Sequence, residues 1–207
     1  HGYESVLLKN LYFGGSLGTS NLKKDYSDAD IKTQGGTKFF DILENVELNG
    51  RLTRGGAELE YLAGPFSLKM ECLRGILDRL TGADAHGSLV MYGYYATAGV
   101  MLTGESVAQN ASIRPKKNFD PLTGGCGALQ LVVRYQAFFT DRELINRGLA
   151  VGVTDARSTG AGINWYPNYH IRFQFSYDYV WFGSSLTIEN VSIKHENTLV
   201  LRVQFDF

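Results

Sequence analysis

Arg134, Arg172 and Arg202 each stand between two apolar residues: Val133 and Tyr135, Ile171 and Phe173, Leu201 and Val203. Lys69, Glu58, Glu60, Glu71, Gln174, Gln204, Asp178 and Asp206 occupy places of the same kind, each polar group flanked by Ala, Leu, Met, Cys, Val, Phe or Tyr. In an extended chain such residues share one face, because successive side chains point to opposite sides. The chemistry open to them is electrostatic. Fixed charges and amides on one face attract or repel ions and exchange hydrogen bonds with hydrated solutes. With signs mixed on neighbouring segments, most of the arginines are also expected to pair with carboxylates and brace the surface that carries them. The residues expected to line an enclosed polar space are Arg134, Arg172, Arg202, Lys69, Glu58, Glu71, Gln174 and Gln204.

Bond-making chemistry finds less support. Acyl transfer needs a nucleophile, a base and an orienting group that converge, and no nucleophile elbow or spacing recommends a set here. His86, His170 and His195 lie in separate segments without ligand spacing, so no metal is expected. Gly124-Gly125-Cys126-Gly127 precedes a strand pattern rather than a helix, unlike a phosphate-cradling loop. Cys72 and Cys126 read as strand residues separated by a third strand, too far apart for a disulfide. Neither an enzyme nor a cofactor is expected. Glu105, after Thr103-Gly104, reads as a turn-shaping residue.

The elements that must carry these groups are strands. Ile171, Phe173, Phe175, Tyr177, Tyr179 and Trp181 alternate with Arg172, Gln174, Ser176 and Asp178 over eleven residues, about the length of a tilted membrane-spanning strand. Leu199, Leu201, Val203, Phe205 and Phe207 alternate with Arg202, Gln204 and Asp206. The same period runs through 129–139, 90–102 and 158–165, and more weakly through 7–19, 52–63 and 66–77. About eight antiparallel strands result, with no helix of comparable strength. Gly64-Pro65 and Tyr166-Pro167-Asn168 read as tight turns. Segments 20–50, 78–87, 140–155 and 183–195 read as longer loops at the opposite end, and 104–124 as a long connection on the short-turn side.

The chain of 207 residues carries a net charge of -1, with 12 Tyr, 12 Phe, 24 Gly and 4 Pro. That balance gives no electrostatic case for nucleic acid, and the mixture favours strands and turns. A mean hydropathy of -0.13 fits a barrel whose lipid-facing and lumen-facing residues average out. A soluble sandwich, for instance one binding carbohydrate, also alternates, but its outer face meets water and should be rich in charge. Here the polar face is mostly Gly, Ser, Gln and single charges, and the apolar face holds large aromatics. The expected fold is therefore all-β, an antiparallel transmembrane β-barrel. Trp165, Tyr166, Tyr169, Tyr179 and Trp181, near strand ends, are expected as interfacial anchors.

The stretches YLAGPFSLKMECLRG (61–75), GYYATAGVMLTGES (93–106), GGCGALQLVVRYQAF (124–138), GINWYPNYHIRFQFSYDYV (162–180) and LVLRVQFDF (199–207) resemble the phosphate-selective porin O and P family. The resemblance implies a trimeric outer-membrane porin of sixteen strands, in a Gram-negative type of envelope, contacting lipid and passing small solutes or anions. The 207 residues are then one barrel domain or the C-terminal half of one. The resemblance further implies an infolded loop within 20–50, near 31–41, where family members specific for phosphate carry an arginine ladder. Lys32 and Lys38 stand there instead, as candidate constriction residues. The competing expectation is a barrel that anchors an assembly without conducting, because about eight strands enclose an interior that side chains fill.

Overall fold

A computed structural model describes residues 10–24, 30–109, 111–188 and 190–206. Along the chain run β1 (Leu11–Lys24), β2 (Asp30–Lys32), β3 (Lys38–Ile42), β4 (Glu47–Ala63), β5 (Phe66–Thr81), β6 (His86–Met101) and β7 (Ala128–Thr140). The short helix α1 (Glu143–Asn146) follows, then β8 (Ala150–Gly152), β9 (Asp155–Asn168), β10 (Ile171–Ile188) and β11 (Val191–Phe205). Eight long strands form one antiparallel sheet in the order β1-β4-β5-β6-β7-β9-β10-β11. It is an up-and-down meander once β2, β3 and β8, which make a separate three-stranded sheet, are set aside. Among the described residues no ladder joins β1 to β11, so the large sheet is open.

Strong period-two alternation is what makes these segments strands, and the pairing register keeps the alternation in step from strand to strand. Phe66, Val100, Leu131, Ile163, Phe175 and Leu201 are successive partners across six strands. Their face is exposed: Leu201 is 71% accessible, Leu199 64%, Phe66 58% and Phe205 59%. Soluble monomers rarely leave so broad an apolar surface to water, and such a surface marks a protein or membrane contact. In hydrocarbon the same surface is at home, and every backbone group inside the sheet is satisfied by a neighbouring strand. At 13 to 18 residues the strands exceed the nine to eleven or so that cross a bilayer. No described helix is long and apolar enough to cross a membrane.

Several loop assignments change. The segments 78–87 and 183–195 continue as strand, because β5 reaches Thr81, β6 begins at His86, β10 reaches Ile188 and β11 begins at Val191. Extended hairpins replace the two loops; polar residues alone do not end a strand that keeps its ladder. Tyr166-Pro167-Asn168 also belongs to β9, and the turn is Tyr169-His170. Cys126 lies in the connection before β7 rather than on a strand; it and Cys72 on β5 are free thiols. The expected strand 7–19 runs as Leu11–Lys24, its first residues lying outside those described.

The core sits between the small sheet and one face of the large one. Phe39, Phe40 and Ile42 from β3, Leu144 from α1, and Leu149, Ala150 and Val153 around β8 pack on Leu48, Leu77, Leu80, Leu89, Ala156, Val180, Phe182 and Leu186. Phe39 meets Phe138 edge-on at 5.6 Å and Phe182 at 6.0 Å between ring centroids. Gly152, at φ 116, lets β8 approach β3: a Cβ there would lie 2.1 Å from the Phe39 carbonyl oxygen. The face bearing this layer is the inner face. The end carrying 30–46, 82–85 and 141–154 is the loop end, and the end with Gly64-Pro65 and Tyr169-His170 is the turn end.

Candidate functional site

Between the packed layer and the turn end, the inner face is polar, and its residues fall into rows set by the register. One row runs Glu60, Lys69, Thr97, Arg134, Gly160, Asp178, Thr198 over seven strands. Toward the loop end the next runs Glu58, Glu71, Tyr95, Gln136, Ser158, Val180, Glu196. Toward the turn end lies Met101, Gln130, Asn164, Gln174, Arg202, and beyond it the pair Arg172 and Gln204. The eight residues expected to line a polar space all stand on this one face.

The row from Met101 to Arg202 is knitted by amides. Asn164 Nδ2 donates to Gln130 Oε1 at 2.9 Å, Tyr166 Oη to the same oxygen at 3.2 Å, and Gln174 Nε2 to Asn164 Oδ1 at 3.2 Å. Arg172 donates to Gln204, which donates to Asp206 Oδ1 at 2.8 Å. The Arg172 guanidinium lies 6.0 Å from the Tyr166 ring centroid. Arg172 Nε and Gln174 Oε1 have no protein partner among the described residues. Tyr166 is thereby corrected: it is buried and faces inward. Its even position in β9 puts it beside Asn164, whereas Trp165 points outward.

The middle row holds the strongest charges. The Arg134 guanidinium lies 4.6 Å from the Tyr95 ring centroid, close enough for cation–π attraction. Gly160 stands between Arg134 and Asp178, and the buried Asp178 carboxylate fills the space above it; a Cβ at 160 would lie 2.2 Å from Asp178 Oδ1. A glycine is required here by the neighbour's side chain, not by backbone conformation. Arg134, Asp178, Arg202, Gln174 and Asn164 line a cavity of about 300 Å³, with Gln34 at its border.

Gln34 comes from the β2–β3 connection, which reaches across the inner face. Thr33 Oγ1 donates to Glu196 Oε2 at 2.7 Å, and Thr198 Oγ1 to Glu196 Oε1 at 3.0 Å. Lys32 and Lys38 do not present free charge. Lys32 Nζ lies 2.9 Å from Asp30, and Lys38 Nζ lies 3.2 Å from Asp30 and 3.1 Å from Asp41. Hydrogen bonds from Lys32 and then Lys38 hold the Asp30 carboxyl below its ordinary value, and those to Asp41 and then Asp30 hold the Lys38 ammonium above its own.

At the turn end, residues 104–109 and 111–118 fold back over the wall. Val107, Ala108, Ser112 and Ile113 face Arg172, Gln204 and Asp206 across a cavity of about 490 Å³. Glu105 organises this segment: buried, it accepts from the Thr103 hydroxyl and from the Lys116 backbone N–H at 3.2 Å. Burial pushes its carboxyl up, but those hydrogen bonds outweigh it and hold the group below its ordinary value.

Tyr95, Gln130, Asn164 and Gly160 were not singled out from sequence. The alternation that selected Arg134 and Gln174 also places them on the polar face, but it does not say which of its members meet one another in space. No cluster of three or more metal-ligating side chains occurs among the described residues. The wall can exchange hydrogen bonds and screen charge.

Comparison with known proteins agrees with a wall of this kind. Residues 22–207 match the profile of the family described as Phosphate-selective porin O and P. An uncharacterized protein of Caulobacter vibrioides is 28% identical over 196 residues, covering 92% of this chain and 36% of its own length. Porin O of Pseudomonas aeruginosa is 28% identical over 125 residues, covering 59% of this chain and 28% of its own. The outer-membrane expressed OmpT of Vibrio cholerae superposes with a TM-score of 0.51 at 11% identity, over 95% of this chain and 52% of that one. At that identity the likeness is one of fold. The chain spans about a third of the length of these curated relatives.

Proposed function

The chain belongs to the phosphate-selective porin O and P family, and from that premise we propose that its sheet is one wall of a water-filled channel for passive diffusion of small hydrophilic solutes, anions among them. By family and fold it is an outer-membrane β-barrel protein. One observation carries the reading: the strands that expose Leu, Val and Phe on one face bear Arg134, Arg172, Arg202 and a hydrogen-bonded run of amides on the other. Rings and rows of charge set ion preference in wide pores. The three arginines face a polar space in which Asp178, Glu58 and Glu71 offset part of their charge, so a modest anion preference is proposed rather than a phosphate-specific one. The pairing of Lys32 and Lys38 with Asp30 and Asp41 supports the same restraint, and the β2–β3 segment is proposed to narrow the path at the loop end. By family likeness three copies associate.

Planar-bilayer recording of the native polypeptide in a salt gradient tests this. Replacing Arg134, Arg172 or Arg202 by Ala is expected to shift the reversal potential toward cations, each ion's weight changing roughly threefold per charge at about 6 Å in water and the anion-to-cation ratio therefore by up to about tenfold. Unchanged ion preference in all three variants would remove the arginines from the path. Absence of any conductance from the native polypeptide would leave the non-conducting anchoring barrel as the better account.

A further inference from the structure

The outer face carries two arginines that the channel reading does not use. Arg74 on β5 and Arg157 on β9 share the face of Leu68, Met70, Leu131 and Ile163, where lipid is expected. The Arg74 guanidinium lies 5.1 Å from the Tyr92 ring centroid, and that of Arg157 lies 5.3 Å from the Phe139 ring. Tyr92 and Phe139 are direct partners on the adjacent central strands β6 and β7. The two cations therefore lean inward from the flanking strands over a shared platform of neighbouring rings, with Tyr94 stacked on Phe139 at 6.1 Å.

Depth gives this arrangement its meaning. Between Leu129 at the turn end and Phe139 lie ten residue steps, about 33 Å along a strand and about 25 Å of height at a tilt of about 40°. That is the height of an apolar band, so Phe139, its partner Tyr92 and the two guanidiniums stand at its rim on the loop-end side. An outward charge there costs far less than at mid-membrane, and it meets the layer where lipid phosphates lie. Arg74 has no ion pair among the described residues, and Arg157 is joined only by Asp155 at 3.9 Å. A guanidinium fork fits phosphate oxygens two at a time, and the rings below offer an apolar floor for the chain that carries the phosphate.

We propose that Arg74 and Arg157, over Tyr92, Tyr94 and Phe139, form a site for the phosphate of a lipid headgroup in the leaflet at the loop end. The site needs only the outer-membrane placement and stands whether or not the barrel conducts.

Native mass spectrometry of the full native polypeptide, extracted from outer membranes in detergent, tests it with phosphatidic acid, phosphatidylcholine and inorganic phosphate as probes. Phosphatidic acid is expected to be retained in preference to phosphatidylcholine. The double variant Arg74→Gln/Arg157→Gln is expected to weaken that retention by roughly tenfold or more for each charged hydrogen-bonding group removed, with channel conductance unchanged. Equal retention of the two lipids by the unaltered protein overturns the site, as does equal retention of phosphatidic acid by protein and variant. Displacement of the lipid by inorganic phosphate at matched concentration would make it a site for a soluble anion and overturn the lipid assignment. Should the double variant fail to insert, Arg74→Lys and Arg157→Lys keep the charge but lose the fork. They are expected to retain phosphatidic acid several-fold less well, and unchanged retention in both overturns the proposal.

Discussion

Toward the turn end, the inner face is polar around open space, with Gln130, Asn164 and Gln174 joined by side-chain hydrogen bonds, Arg172 bonded to Gln204, and Arg202 beside them. Toward the loop end, the same face becomes Phe138, Ala156, Val180 and Phe182, packed beneath Phe39, Phe40 and Leu144. One face of one set of strands thus meets two environments. Alternation separates the two sides of a barrel wall, but it does not say what the inner side touches. Water or another layer of protein must be decided by whatever else the chain sends inside.

Removing that packing breaks the contrast at its strongest point. Phe40 is 1% accessible at the centre of the layer, and Phe40→Ala is expected to cost about 3–5 kcal/mol. The loss should appear in urea unfolding followed by tryptophan fluorescence, and bilayer recordings should become noisier as the β2–β3 segment loses its seat. Unaltered stability would mean that the layer is not packed as described.

The polar half is sharpened by Gly160→Ala. The added methyl must displace the Asp178 carboxylate, so a loss of about 1–3 kcal/mol is expected, together with ion preference moving toward anions as Asp178 leaves the Arg134 row. Neutral behaviour in both measurements would show that the glycine gap is not needed.

A smaller effect is expected where the wall meets the 104–118 connection. Glu105 has a folded value below its ordinary 4.5. Such a group contributes its stabilisation in full above that ordinary value and loses it as pH falls through the lower, folded value. Limited proteolysis of the connection should therefore be slow at neutral pH and accelerate in acid. Glu105→Gln should weaken it by roughly 1 kcal/mol and flatten the pH dependence; a variant as acid-sensitive as the parent would exclude Glu105 as the cause.

The sheet was legible because long strands repeat one signal many times. Ile171 to Trp181 and Leu199 to Phe205 give both faces, and the tight turn at Gly64-Pro65 fixes one hairpin. The inner layer was not legible, because Phe39-Phe40, Ile42, Leu144 and Leu149 come from short, separate runs without a period. Their destination on the wall was equally hidden, since Val180 and Phe182 occupy positions that parity assigns to the polar side. Charge also misled at Lys32 and Lys38. Asp30 stands two positions from Lys32 and Asp41 three from Lys38, so those pairings lay in the sequence unread, and only the contact of Lys38 with Asp30 needs the β2–β3 hairpin.

The contact between Thr33 and Glu196 joins residues 163 positions apart, and it bears on the timing of assembly. Contacts between neighbouring hairpins close short loops and can form early, whereas this one must wait until β11 is in place. The polar anchor of the β2–β3 segment is completed only with the last strand, so the segment is expected to settle on the wall after the neighbouring hairpins have formed. Hydrogen-exchange labelling during refolding would read that order directly, with protection at Phe39 and Phe40 arriving after that of β5 and β6.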